Sequence, residues 1–240
     1  MTDSLLLEAS GLTMRFGGVV AVDGVDFKLR HGELRCLIGP NGAGKSTFFK
    51  MLSGQLRPSA GDVRLKGESL VGLPAARIAR LGMGIKTQVP SVFDGLSVAE
   101  GIRIGTDRVL PPALSRQRAD EVMELIGIAD LRDWDVARLA HGQRQLVELA
   151  MVVAPQPDLI LLDEPAAGMT GREVERLGEL VVDLARIGSV VVVEHDMTFI
   201  RRIARTVTVF NQGRVLAEGP ADDVLADQRV RDVYLGRDVE

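Results

Sequence analysis

"LRCLIGPNGAGKSTFFKML", residues 34–52, decides the fold. The apolar run LRCLI reads as a strand, a glycine-rich turn follows, and KSTFFKML continues with helical spacing. Gly39, Gly44, Lys45 and Ser46 match G-x-x-x-x-G-K-[ST], and strand–loop–helix is the context in which that pattern cradles phosphate. Gly42 and Gly44 let backbone amides approach phosphate oxygens with no Cβ in the way. Lys45 is placed to reach the β- and γ-phosphates, and Ser46 to bind magnesium. Asn41, Ala43 and Thr47 complete the nucleotide-binding set.

Two further strand-like runs end in charged residues. LILLDEP (159–165) and SVVVVEHD (189–196) are continuous apolar runs, as expected of parallel strands buried on both faces. Between them, Val174, Leu177, Val181, Leu184 and Ala185 recur at helical spacing, giving a strand–helix–strand crossover. Asp163 and Glu164 fall at the end of the first run, where ligands of open α/β sheets gather. Beside a phosphate loop, Asp163 suits a magnesium ligand and Glu164 a base that polarises water. Pro165 cannot continue a ladder, so the strand ends there. His195 follows the second run. A lone histidine there is more often structural, but its expected neighbours, the phosphate loop and Glu164, favour a donor to the γ-phosphate or to the attacking water.

The rest of the chain fits an α/β protein. GDVRLKG (61–67) alternates as a half-exposed strand should, and with VDFKLRHGELRCLIG (25–39) it suggests an antiparallel region. The stretch 90–157 has Pro111-Pro112 and helical patterns such as RADEVMELIGIADL, with little strand signal. The expected layout is one domain, 1–240, with a core of 1–89 and 158–240 and a helical lobe of 90–157. Val92, Phe93 and Leu96 lie close together in VPSVFDGLSVAE (89–100), either packed inside the lobe or forming a groove for a partner's helix.

Bulk properties narrow the function. The 240 residues carry a net charge of −4, against a dedicated nucleic-acid binder, which needs clustered Lys and Arg. One cysteine, Cys36, excludes an internal disulfide and suits a reducing compartment. No signal-like N-terminus or membrane-length apolar run is present, so the expectation is a cytoplasmic chain that reaches the membrane through partners.

The phosphate loop, LAHGQ (139–143), LILLDEP and EHD, in this order, resemble the nucleotide-binding subunit of ABC transporters, across nearly the whole chain. The resemblance implies a P-loop core with a mostly parallel sheet, an N-terminal antiparallel region and an inserted helical lobe. It implies hydrolysis of ATP with magnesium. Phe16 in MRFGGVVAVDGV then stacks on adenine, and Gln88 in GIKTQVPSVFDGLSV contacts magnesium or the attacking water. Ala140, His141, Gly142 and Gln143 serve the nucleotide of an opposite subunit in a head-to-tail dimer. The family's serine at 140 and glycine at 141 are replaced here. AAGMT (166–170) occupies the loop after the carboxylates and lacks its usual acidic residue, with Thr170 near that place. RFGGVVAVDGVDF, VPSVFDGLSVAEGI, EPAAGMT and the tail GRVLAEGPADDVLADQRVRDVYLG look like the branched-chain amino-acid and urea uptake group. LAHGQ and AGMT lean towards urea. That group implies two permease subunits, a second ATPase subunit (paralogue or self), an extracytoplasmic solute-binding protein, and a position on the inner membrane face.

Lipid or lipopolysaccharide export, or transport of another nutrient, is the nearest rival. A DNA-repair ATPase would carry heptad arms or a basic face, and neither is present. A P-loop kinase would need an acceptor site in place of the LAHGQ turn.

Overall fold

The computed structural model describes residues 4–88, 92–107 and 110–234. Two sheets make up the core. Strands β1 (Leu5–Phe16), β2 (Val19–Arg30), β4 (Ala60–Leu65) and β5 (Glu68–Ser69) form an antiparallel sheet in the order β2-β1-β4-β5. Strands β3 (Leu34–Ile38), β6 (Met83–Lys86), β7 (Leu159–Asp163), β8 (Ser189–Val193), β9 (Thr206–Asn211) and β10 (Arg214–Pro220) form the other, ordered β10-β9-β3-β8-β7-β6. All pairs in that second sheet are parallel except β9–β10. The expected antiparallel region is therefore split. VDFKLR and GDVRL both pair with β1, but LRCLI leaves them for the parallel sheet. The tight turn at His31-Gly32 separates the two sheets, and alternation alone does not tell which sheet a strand joins.

The helices are α1 (Lys45–Leu52), α2 (Ala75–Arg80), α3 (Val98–Thr106), α4 (Pro112–Ile126), α5 (His141–Val153), α6 (Gly171–Ile187), α7 (Met197–Ile203), α8 (Ala221–Ala226) and α9 (Gln228–Tyr234). Period-two alternation in the parallel strands assigns their faces. Leu37, Leu159, Leu161, Val191, Val193 and Phe210 join the cluster shared with α1 and the antiparallel sheet. Cys36, Ile38, Ile160, Leu162, Val190 and Val192 face the helices on the other side. That second cluster runs without a break into Val98, Ile102, Val122, Met123 and Leu149 of α3, α4 and α5. The helical stretch thus has no core of its own separate from the sheet.

Local signals explain the helix ends. Pro112 begins α4, and Gly127 ends it in the left-handed conformation (φ 71). Ser97 and Glu100 form a reciprocal capping box on α3. The crossover β7–α6–β8 is present, with Leu177, Val181, Leu184 and Ala185 buried and Val174 packed against them.

Candidate nucleotide site

The phosphate loop leaves the end of β3 and enters α1. Its glycines are required by space as well as by torsion. A Cβ on Gly39 would run into the Phe210 carbonyl, and one on Gly44 (φ 99) into the Ala21 carbonyl of β2. Gly42 (φ 78) faces open space, so only its left-handed backbone demands glycine. The loop is braced by Gly213 N–H donating to Ala43 O at 3.0 Å. Asn41 and Ser46 are exposed, and Thr47 is half-buried. The Lys45 ammonium is buried, donating to Gly39 O (2.7 Å) and Pro40 O (2.9 Å). Burial holds its pKa below the usual lysine range, against the opposing pull of Glu164 and Asp163.

Those two carboxylates end β7. Asp163 is buried, and its carboxyl is pushed up to about 6, first by burial and then by the neighbouring negative charge of Glu164. Glu164 has a left-handed backbone (φ 46), rare for a residue with a side chain, and its N–H donates to Val193 O at 2.9 Å. Gln88 Nε2 donates to Glu164 Oε2 at 2.8 Å, and His195 Nδ1 lies 3.4 Å from Glu164 Oε1. Gln88, Asp163, Glu164 and His195 are thus assembled at the strand ends beside Lys45. Phe16 sits at the tip of the β1–β2 hairpin, half-exposed at 50%, on the strand pair that brings Ala21 against Gly44.

Glu194, to which the sequence reading gave no role, is a buried carboxylate beneath this group. It accepts from the N–H groups of Ala166 (3.1 Å), His195 (3.0 Å) and Asp196 (3.4 Å), and so fixes both the loop after Glu164 and the histidine. Its signal was present: an acid directly after four valines.

The segment Ala140–Gln143 stands apart. Its contacts are with the loop after Glu164 and with α6 of the same chain. Ala140 offers no capping oxygen, and only the return arm survives, Ala140 N–H donating to Gln143 Oε1 at 3.0 Å. His141 Nε2 is 3.1 Å from Ala167 O, a contact that requires the ring to donate. A Cβ on Gly142 would run into the Glu173 carboxylate, which accepts from Thr170 N–H at 2.7 Å. Thr170, where the resemblance leads to an acid, instead donates both its N–H and its hydroxyl to Glu173 at 2.7 Å, closing the start of α6. Around the expected groove, residues 89–91 lie outside the described residues. Val92 packs on the core, Leu96 is half-buried and Phe93 is exposed.

The donor set fits the ligands. A backbone cradle with no room for a Cβ at Gly39 and Gly44, a buried ammonium and the start of α1 suit a polyphosphate. The hydroxyl of Ser46, the Asp163 carboxylate and the Gln88 amide oxygen are hard oxygen donors suited to magnesium, and the charge on Asp163 lacks full compensation. Together these features define a phosphate-loop nucleotide site at the end of a parallel sheet.

Known proteins resemble this chain in sequence and fold. The family model "ABC transporter" matches residues 22–167, and "Branched-chain amino acid ATP-binding cassette transporter" matches 214–240. BraF of Pseudomonas aeruginosa, a high-affinity branched-chain amino acid transport ATP-binding protein, is 34% identical over 249 residues, covering 96% of this chain and 98% of BraF. LptB of Acidithiobacillus ferridurans, a lipopolysaccharide export system ATP-binding protein, is 34% identical over 235 residues, covering 97% and 98%. The ADP conformation of MJ1267, an ATP-binding cassette of an ABC transporter, superposes with a TM-score of 0.87 at 25% identity, covering 98% of this chain and all of that one. The chain belongs to the ABC transporter ATP-binding family: it is an ATPase subunit of a transporter, with the ABC ATPase fold.

Proposed function

We propose that this subunit powers an importer of a small polar nutrient, urea or branched-chain amino acids, from the inner face of the membrane. The observation that carries the hydrolytic part is the convergence of Gln88, Asp163, Glu164 and His195 on the phosphate loop. The match of the tail, 214–240, to the branched-chain amino acid model supports the importer part. Urea rests on LAHGQ and AGMT. No helix among the described residues is long and apolar enough to cross a membrane, which fits an ATPase working through integral permease subunits.

In this reading Phe16 stacks on adenine, and the loop Gly39, Asn41, Gly42, Ala43, Gly44, Lys45, Ser46 and Thr47 holds the phosphates. Ser46, Asp163 and Gln88 would hold magnesium, which would supply neutralisation of the phosphates' negative charge. Glu164 accepts the proton of the attacking water, Gln88 and His195 orient it, and Glu194 holds His195 from below. Ala140, His141, Gly142 and Gln143 act on the nucleotide of an opposite subunit, since their own contacts lead to Ala167 and Glu173. A solute-binding protein delivers the nutrient on the far side, and the partner ATPase is a paralogue or a second copy.

Glu164→Gln is the direct test, because the amide keeps the shape but cannot take the proton. ATP binding should persist within about threefold while turnover falls about 100-fold or more. Near wild-type turnover would place the base elsewhere. LptB, equally identical over as much of the chain, keeps export as a second reading. ATP turnover of the reconstituted complex separates them: stimulation by a loaded urea- or leucine-binding protein supports import, and stimulation by lipopolysaccharide supports export.

A further inference from the structure

Tyr234 is the chain's one tyrosine and the last residue of α9. Val230 and Val233 of that helix are buried. Tyr234, one turn after Val230, packs against the same cluster, to which Ile38 at the end of β3 also belongs. Its hydroxyl oxygen is buried, yet it completes no hydrogen bond with the described residues. Beside it lies the backbone of Gly39, the first residue of the phosphate loop. Burial pushes the phenol up to about 12, and Gly39 opposes that rise. Only a donor favours the ionised form of an acid, so it is the Gly39 N–H that faces the oxygen.

The last part of the chain meets the loop at two other places. The Phe210 carbonyl fills the space that a Cβ on Gly39 would need, and Gly213 N–H donates to Ala43 O at 3.0 Å. Lys45 holds Gly39 from its carbonyl side, the ammonium donating to Gly39 O at 2.7 Å. These contacts are complete, whereas the one to Tyr234 is not. Phenylalanine would give α9 the same apolar packing with no hydroxyl to desolvate, and a buried hydroxyl left unpaired destabilises a fold. Packing therefore does not account for the oxygen. A bond completed in another state of the loop does.

We propose that Tyr234 is a positioning residue of the nucleotide site: its hydroxyl accepts from the Gly39 N–H when the loop takes up phosphate, so that the C-terminal helix helps hold the loop in its nucleotide-bound form. The inference rests on the reading of residues 39–47 as the phosphate-binding loop. On that reading Lys45 turns from Gly39 O towards the phosphates, and the hydroxyl steadies Gly39 from its N–H side.

The test compares the full-length wild type with Y234F, which removes the oxygen and keeps the ring. Without nucleotide, Y234F should melt within about 2 °C of wild type or above it, since no completed bond is lost. Magnesium-ATP and magnesium-ADP should each bind about three- to tenfold more weakly, the range of one hydrogen bond. In the reconstituted complex, KM for ATP should rise by a similar factor while kcat stays within about twofold, the pattern of lost binding. A single tyrosine also gives a direct readout. In protein carrying ring-labelled tyrosine, its magnetic resonance signal should shift when magnesium-ADP saturates the site, and adenosine, which has no phosphate, should leave it unmoved. Unchanged nucleotide affinity in folded Y234F would overturn the proposal, as would a tyrosine signal indifferent to magnesium-ADP. A drop of more than about 6 °C in Y234F before nucleotide is added would also overturn it, because the bond would then belong to the resting fold. A wild type that binds neither nucleotide overturns the nucleotide-site reading itself. Should Y234F fail to fold, the tyrosine signal of the wild type decides alone.

Discussion

Gly42 and Gly44 satisfy the same motif for different physical reasons, which predicts different consequences. Gly42→Ala places a Cβ on a left-handed residue in open space and should cost about 1–2 kcal/mol. Gly44→Ala adds a collision with the Ala21 carbonyl, an overpacking cost of about 1–3 kcal/mol more, and should lower the melting temperature further while abolishing ATP binding. Thermal melts and ATP titration of the two variants check the order. Asp163 makes a pH prediction. Its carboxyl is raised from 3.8 to about 6 in the folded chain, so the folded state holds that proton more tightly than the unfolded state. The resulting stabilisation is fully present below the unfolded value of 3.8 and is lost as pH rises through about 6. In metal-free buffer, Asp163→Asn should therefore melt higher than wild type at pH 7, and the gap should narrow towards pH 4. A gap independent of pH would show that Asp163 is not the titrating group. Both predictions concern residues legible in the sequence, since motif spacing and the ends of apolar runs locate them. Glu194 was legible in position, directly after four valines, but not in role, and Lys86 and Glu148, an ion pair buried between β6 and α5, were legible in neither. Sequence displays a charge but not its burial, and the partner of Lys86 lies on a helix far along the chain.

Among the elements, α5 shows most clearly what the sequence leaves out. LAHGQ located its start through the resemblance, and the loss of the family's serine at 140 was evident. What could not be read was the environment of the first turn: His141 donating to Ala167 O, and Glu173 of α6 against Gly142. The split of the N-terminal strands between two sheets was hidden for the same reason, because alternation reports burial of one face but not which sheet supplies the neighbour. At Ala140 the return arm from Gln143 is already in place and only the forward arm is lacking. Ala140→Ser should restore it and stabilise the fold by about 0.5–2 kcal/mol, seen as a rise of a few degrees in melting temperature. No rise would mean that His141 and Glu173 already hold the turn in the conformation the cap would enforce.

For the molecule as a whole, one hydrophobic cluster joins the sheet to α3, α4 and α5, while the contacts of Ala140–Gln143 lead to the loop after Glu164 and to α6. The phosphate loop gathers Gln88, Asp163, Glu164 and His195 around it, whereas Ala140–Gln143 turns to Ala167 and Glu173. On the proposed reading a second subunit supplies the contacts that Ala140–Gln143 does not make within its own chain. Complementation tests this. Gly142→Asp alone confounds two effects, because the new side chain meets Glu173 before any phosphate. Pairing it with Glu173→Ala removes the collision within the chain and leaves the carboxylate facing outward, with Glu173→Ala alone as the control. Lys45→Ala disables the phosphate loop instead. Two copies of the chain fused in tandem, one Lys45→Ala and the other Gly142→Asp/Glu173→Ala, contain one doubly damaged site and one built entirely from intact halves. Tandems carrying either variant in both copies should hydrolyse almost no ATP, because every site then lacks one half. The mixed tandem should recover a substantial fraction of the wild-type tandem's turnover. If the halves of each site came from the same copy, both copies of the mixed tandem would be damaged and the rate would stay at the level of the parents.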